Sequence, residues 1–102
     1  MASPAQILLQ TLADPTRRAL FEQLVRHGEH TVHALTALAG VSQPAVSKHL
    51  RLLKFAGLII GRRDGRQTYY RALPQALLPL VEWMALFTRD TSSDLRPVRP
   101  AM

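Results

Sequence analysis

Apolar residues recur along this chain at the three-to-four-residue spacing of helices, and the runs are separated by paired start and stop signals. Ser3-Pro4 reads as an N-cap followed by a first-turn proline. It predicts a short helix to about Leu12, with Ile7, Leu8, Leu9 and Leu12 apolar. Asp14-Pro15 repeats the device. The helix it opens carries Leu20, Phe21, Leu24 and Val25 on one side and Arg17, Arg18, Glu22 and Arg26 on the other, and ends at Gly28. Thr31 can cap a third, short helix with Val32, Leu35 and Leu38 inward. Gly40-Val41 predicts a tight turn. Ser42 caps a fourth helix, with Pro44 in its first turn, where no intrahelical donor is lost. Val46, Leu50 and Leu53 then face the core, and Gln43, Ser47, Lys48, Arg51 and Lys54 fall on the opposite face. Gly57 ends this helix.

The period then changes. Leu58, Ile59 and Ile60 start a strand, Asp64-Gly65 signals a two-residue hairpin, and Gln67 to Arg71 return as a second strand. Tyr69 and Tyr70 must point to opposite faces of it. The last helix lies within residues 74–89. Its apolar positions form two rows, Leu77, Val81 and Met84, and Leu80, Trp83 and Phe87. A helix apolar on two sides is usually buried on two sides. In so small a domain the second side points to a partner subunit. Pro79 places the start or a kink of the regular helix near it.

The expected fold is mainly α with a small β-hairpin: four helices, two strands, then a fifth helix. Two helices joined by a short turn, with a hairpin directly after, make a winged helix-turn-helix. One domain spans residues 1–89, and the polar, proline-bearing tail 90–102 is expected to be disordered. No internal repeat is present.

Charge sharpens this picture. The net charge is +6, and the segment from Lys48 to Arg71 accounts for all of it, with seven basic residues and the single acid Asp64. Elsewhere six arginines cancel six acids. Excess charge gathered on one helix and one hairpin suits a polyanion better than a merely solvated face. The absence of cysteine excludes disulfides, thiolate chemistry and zinc-finger sites. The first residues, MASPAQILLQ, lack a basic leader, and the C-terminal apolar stretch is interrupted by Glu82. A cytoplasmic protein without a membrane partner is expected. No catalytic triad, phosphate-binding glycine loop or paired carboxylates appear, so neither enzyme activity nor a cofactor is expected.

The groove chemistry can be assigned to residues. A major groove admits one helix, and each base pair offers it a distinct pattern of donors and acceptors. Ser42 and Gln43 sit at the entering end of the fourth helix, and glutamine suits adenine. Ser47, Lys48, Arg51 and Lys54 follow, the cations suiting either phosphate or guanine. His49 lies on the helix flank, placed either to pack at the edge or to reach a phosphate. Arg62, Arg63 and Arg66 flank the hairpin turn, and arginine favours narrow minor grooves. The DNA-binding elements are therefore a recognition helix over 42–55 and a wing over 61–67. His27, His30 and His33 have a spacing that invites zinc, with Glu29 as a fourth ligand. They cross a helix end, a loop and a helix start, so the favoured reading is a polar loop and no metal.

Three stretches, LADPTRRALFEQL, GVSQPAVSKHLRLLKFAGLI and RRDGRQTYYRA, are similar to the ArsR/SmtB family of bacterial winged-helix repressors. The resemblance covers about residues 5–89, and SQPAVSKHL is its most specific run. It implies double-stranded DNA as partner, an inverted-repeat operator, and repression relieved by a ligand or stress signal that these residues do not name. It also implies a homodimer joined through the first and last helices, which here offer Ile7, Leu8, Leu80, Trp83, Met84 and Phe87. The chain departs from the family's metal-sensing members. Where they carry a cysteine pair it reads Thr31-Val32-His33-Ala34, and residues 74–89 hold no histidine. It resembles the metal-independent branch. Two competing readings are a winged-helix module that docks a protein, and a nonspecific nucleic-acid binder.

Overall fold

Four of the five helices begin in the same way, with a side chain closing the first turn. The structure, a computed structural model, describes residues 2–89; the tail expected to be disordered lies outside them. Helix α1 spans Pro4–Ala13, and Ser3 Oγ accepts from the Gln6 amide at 3.2 Å. Helix α2 spans Pro15–His27, capped by Asp14 Oδ1, which accepts from the Arg17 amide at 2.9 Å. Thr31 caps α3, Val32–Ala39, through Ala34 N at 3.1 Å. Ser42 caps α4, Gln43–Phe55, through Ala45 N at 3.3 Å. Each cap satisfies an amide that the helix itself leaves without a partner. Helix α5, Leu78–Thr88, has no side-chain cap and grows instead out of a short 3-10 turn, Pro74–Leu77. Pro79 falls in its first turn, as expected.

Strand β2, Ile59–Asp64, pairs antiparallel with β3, Gln67–Ala72. Asp64 faces Gln67, so the two loop residues are Gly65 and Arg66, one position later than the Asp-Gly signal suggested. Gly65 has φ 62°, and Arg66 is not left-handed. A positive φ at the first loop residue alone is the type II′ pattern, which asks for glycine there. The hairpin is not alone. Residues His30–Thr31 form a two-residue strand, β1, against the other edge of β3, with His30 opposite Tyr70 and Thr31 opposite Tyr69. The sheet is three-stranded, in the order β1-β3-β2. A two-residue strand is too short to show alternation, so periodicity could not reveal it.

The core collects Leu8 from α1, Leu20, Phe21 and Leu24 from α2, and Leu35 from α3. Val46, Leu50 and Leu53 come from α4, and Leu58 and Ile59 from the start of the wing. The α4 stripe is buried as its spacing predicts. Two expectations fail for geometric reasons. Leu38 is 62 % exposed, because the inward row of α3 runs Val32, Leu35, Ala39. Val25 is 45 % exposed, about 100° round the helix from Leu24. Tyr70 turns to the core while Tyr69 does not. Gly61 lies under Tyr70: a Cβ there would sit 3.0 Å from the tyrosine ring and 3.1 Å from Thr68 Cγ2. Helix α5 packs on α1 yet buries none of its residues fully. Among the described residues no helix is long and apolar enough to cross a membrane.

Leu53→Ala is expected to destabilise by about 2–5 kcal/mol, since its fully buried side chain leaves a cavity. Leu38→Ala should stay within roughly 0.5 kcal/mol. Urea unfolding at one fixed protein concentration separates the two by their midpoints.

Candidate nucleic-acid interface

Burial of Val46, Leu50 and Leu53 fixes the rotation of α4 and so decides which side chains face out. Ser42, Gln43, Lys48, Arg51 and Lys54 are exposed, and Ser47 is half-exposed. Ser47 and Arg51 follow Gln43 on one flank of the apolar stripe, since each step of four residues advances about 40°. His49 falls on the opposite flank, about 60° to the other side of Val46. It is half-buried, its Nδ1 is shielded from solvent with no hydrogen-bond partner among the described residues, and it lies near enough to Asp14 to help lower that carboxyl. The structure thus turns His49 towards the α1–α2 junction, away from Gln43, Ser47 and Arg51.

That junction is polar and tightly held. Asp14 caps α2, and its carboxyl is held below the usual range, first by the Arg17 amide hydrogen bond. Arg17 adds a longer contact of 3.9 Å through Nη2. Arg18 Nη1 donates to the Leu12 carbonyl at 2.9 Å, binding the end of α1 to the start of α2.

The three wing arginines do different work. Arg62 donates to Glu29 through two bonds, Nε at 2.9 Å and Nη2 at 2.7 Å. Its guanidinium also lies over the Tyr69 ring, 4.7 Å from the centroid, with Asp64 3.6 Å away. Two parallel bonds to a planar carboxylate fix orientation as well as distance. Arg62 thereby holds the wing against the loop before β1. Arg63 and Arg66 are exposed, and among the described residues neither makes an ion pair or side-chain hydrogen bond. Nothing in the sequence marks Glu29 as the partner, 33 residues from Arg62.

The histidine triplet is not brought together. His30 Nδ1 donates to the Gly28 carbonyl at 2.7 Å, leaving Nε2 to accept from the Gln23 amide at 3.4 Å. Both ring nitrogens are occupied, and among the described residues no three His, Cys, Asp or Glu side chains gather as a metal site needs. Glu29, the suggested fourth ligand, is bound to Arg62. His33 lies elsewhere, in a cleft of about 320 Å3 between the start of α3, the start of α4 and the wing tip.

The expected dimer residues also separate. Leu8 is 3 % exposed and belongs to the core of its own chain, so it has no surface to offer a partner. Ile7 and Leu80 are half-buried, while Trp83, Met84 and Phe87 are exposed, with Trp83 and Phe87 in edge-to-face contact at 5.2 Å. Leu78, Val81 and Leu86 widen this apolar surface. Phe55 at the end of α4, 87 % exposed, is another large apolar group on the surface. It was missed in the sequence because it stands outside the helix's apolar stripe.

A helix-turn-helix whose second helix presents polar side chains, followed by a sheet with a basic hairpin, is a winged helix-turn-helix. The profile of a helix-turn-helix domain family matches residues 12–62. Over 74 residues the chain is 43 % identical to the HTH-type transcriptional repressor SmtB of Mycobacterium tuberculosis, covering 72 % of this chain. Over 88 residues it is 31 % identical to the transcriptional repressor SdpR of Bacillus subtilis, covering 86 % of this chain and 97 % of that one. A solved structure of a possible transcriptional regulator for arsenical resistance matches with a TM-score of 0.70 and 40 % identity, over 87 % of this chain and 96 % of that one. The chain belongs to the ArsR/SmtB family of winged helix-turn-helix transcriptional regulators, which are not enzymes. It spans about half the length, 54 %, of the mycobacterial SmtB.

Arg62 holds the Glu29 carboxyl below its ordinary value of 4.5 by hydrogen bonding first and charge second. A lowered folded value means the pair stabilises the wing above the ordinary glutamate range and is lost as pH falls through the lower folded value. A 13C NMR titration should find Glu29 below 4.5 in the wild type. The value should move back towards 4.5 in Arg62→Gln. An unchanged titration in the variant would disprove the pairing.

Proposed function

We propose that this chain is a sequence-specific transcriptional repressor that binds an inverted-repeat DNA operator as a homodimer. The reading rests on one observation above others. Lys48, Arg51 and Lys54 of α4 and Arg63 and Arg66 of the wing make no ion pair or side-chain hydrogen bond among the described residues, belong to the segment that carries the chain's surplus charge, and lie on two consecutive elements. Helix α4 enters the major groove, with Gln43 and Ser47 reading base edges and Lys48, Arg51 and Lys54 bracketing phosphates. The wing lies on the adjacent minor groove and backbone, through Arg63 and Arg66. The naming of relatives as transcriptional repressors supports the direction of regulation.

The dimer is supported by α5. It carries Leu78, Val81, Trp83, Met84, Leu86 and Phe87 on its exposed surface, and its one charged residue is Glu82. Helix α1, against which it packs, has no charged residue. Contiguous apolar surface of this kind is costly in water and marks an interface. A second copy of the chain covers it.

Fluorescence anisotropy of the protein on the duplex upstream of its own gene, against a shuffled duplex at about 0.15 M salt, tests the whole reading. A preference on the order of 10³-fold or more is expected for a specific regulator. Equal, steeply salt-dependent binding to both would favour a nonspecific backbone binder. No binding to either would favour a protein-docking module. Gln43→Ala with Ser47→Ala should lower that preference while leaving affinity for the shuffled duplex nearly unchanged. Trp83→Asp with Phe87→Asp should give a monomer in analytical ultracentrifugation and weaken operator binding, because two half-sites bound together add their energies. A variant that sediments as a dimer would place the interface elsewhere.

A further inference from the structure

A protein that puts one element in the major groove and the next in the adjacent minor groove must straddle the sugar–phosphate strand that separates them. In this chain the two elements are α4 and the wing, and between them lies the cleft of about 320 Å3. Gln43 lines it from α4, Arg66 and Gln67 from the wing tip, and His33 from the first turn of α3. No acidic side chain lines it. Resting on the DNA-binding reading above, we propose that this cleft seats the operator's phosphate backbone and that His33 and Arg66 are joint ligands of one phosphate.

The chemistry of the lining fits a phosphodiester. Arg66 supplies a permanent cation, and Gln67 supplies a neutral amide donor. The His33 imidazole can donate from a ring nitrogen whether neutral or charged. The charged or titratable groups beside it in the cleft are Arg66 and the Tyr70 phenol. His33 is exposed, with no hydrogen bond or ion pair among the described residues. It can therefore turn towards a ligand without breaking a hydrogen bond or ion pair. His30, three residues earlier in β1, has both ring nitrogens committed within the protein and is unsuited to that task. The cleft is wider than one phosphate group, which leaves room for the attached sugars. Three elements contribute to it, so the strand would fix the angle between recognition helix and wing as it binds.

A phosphate carries no sequence information, so the contact acts on any duplex and its test needs no operator. Wild type, His33→Ala, Arg66→Gln and the double variant are compared by anisotropy on one arbitrary duplex, at salt concentrations from about 50 to 200 mM. Thermal melts by circular dichroism confirm that these surface variants fold. Each single change should weaken binding, by roughly fivefold or more. Arg66→Gln should lower the slope of log affinity against log salt by about 0.9, one phosphate's worth of counterions. Because the two side chains share a phosphate, the double variant should lose little more than the weaker single variant. Losses that multiply, or a His33→Ala protein that binds like wild type, would overturn the proposal. Wild type that binds no duplex at any salt would instead overturn the DNA-binding reading beneath it. Exchange of chloride for inorganic phosphate at fixed ionic strength separates the two sources of the group. No effect assigns the cleft to the DNA strand. Displacement of the duplex from wild type but not from His33→Ala would assign it to a free phosphate ligand and overturn the strand.

Discussion

Everything on the basic face depends on how α4 is clamped into the core. Val46, Leu50 and Leu53 are all but inaccessible to water and touch the chain's other buried leucines. With those three positions inside, the helix cannot rotate about its axis. A rotation of one residue, about 100°, would expose the stripe and bury cations without partners. The direction in which Gln43, Ser47 and Arg51 point is thus a consequence of leucine packing. The same clamp extends into the wing. Leu58 and Ile59 sit in the core directly after the helix, and the Leu73 amide donates back to the Leu58 carbonyl at 2.8 Å. Both ends of the hairpin are tied to the body that orients α4.

The outer end of the hairpin needs a second fastening, because β2 buries no residue beyond Ile59. Arg62 and Glu29 supply it, with Tyr69 beneath the guanidinium. Both groups of the pair are partly exposed, so its energy is modest and its value is geometric. It joins the hairpin to the loop that enters β1, and β1 leads straight into α3 through its cap Thr31. Wing and helix-turn-helix therefore share one frame. That frame is what gives the cleft between them fixed walls.

Most of this architecture was legible along the chain, and the parts that were not share a physical cause. Helix starts were legible because Ser3, Asp14, Thr31 and Ser42 act through local bonds to amides three residues on. The stripe of α4 was legible because a regular helix turns sequence spacing into direction. Leu38 misled because α3 is short, and a row of Val32, Leu35 and Leu38 fits its spacing as well as the observed row through Ala39. His49 was ambiguous for a similar reason, since flank positions are decided by what packs beside them. Strand β1, the role of Glu29 and the place of His33 all arise from long-range contacts. The sequence contains no local term for those. The candidate DNA face was therefore legible as a set of residue types, while the division of labour among its arginines was not.

The separation of charge from apolar surface has a further consequence for assembly. Each chain carries +6, and two copies brought together must oppose that repulsion. In the proposed dimer the meeting surfaces are α5 and α1, which between them hold the single charge of Glu82. The surplus cations sit on α4 and the wing instead, and water and salt screen charges beyond about 8 Å at physiological ionic strength. Pairing through α5 can then proceed on apolar burial, with the basic faces left outward. DNA would relieve the remaining repulsion by neutralising both faces at once, so binding to the duplex and pairing of the chains should favour each other. That coupling needs no ligand and follows from where the sequence places its arginines and where it leaves them out.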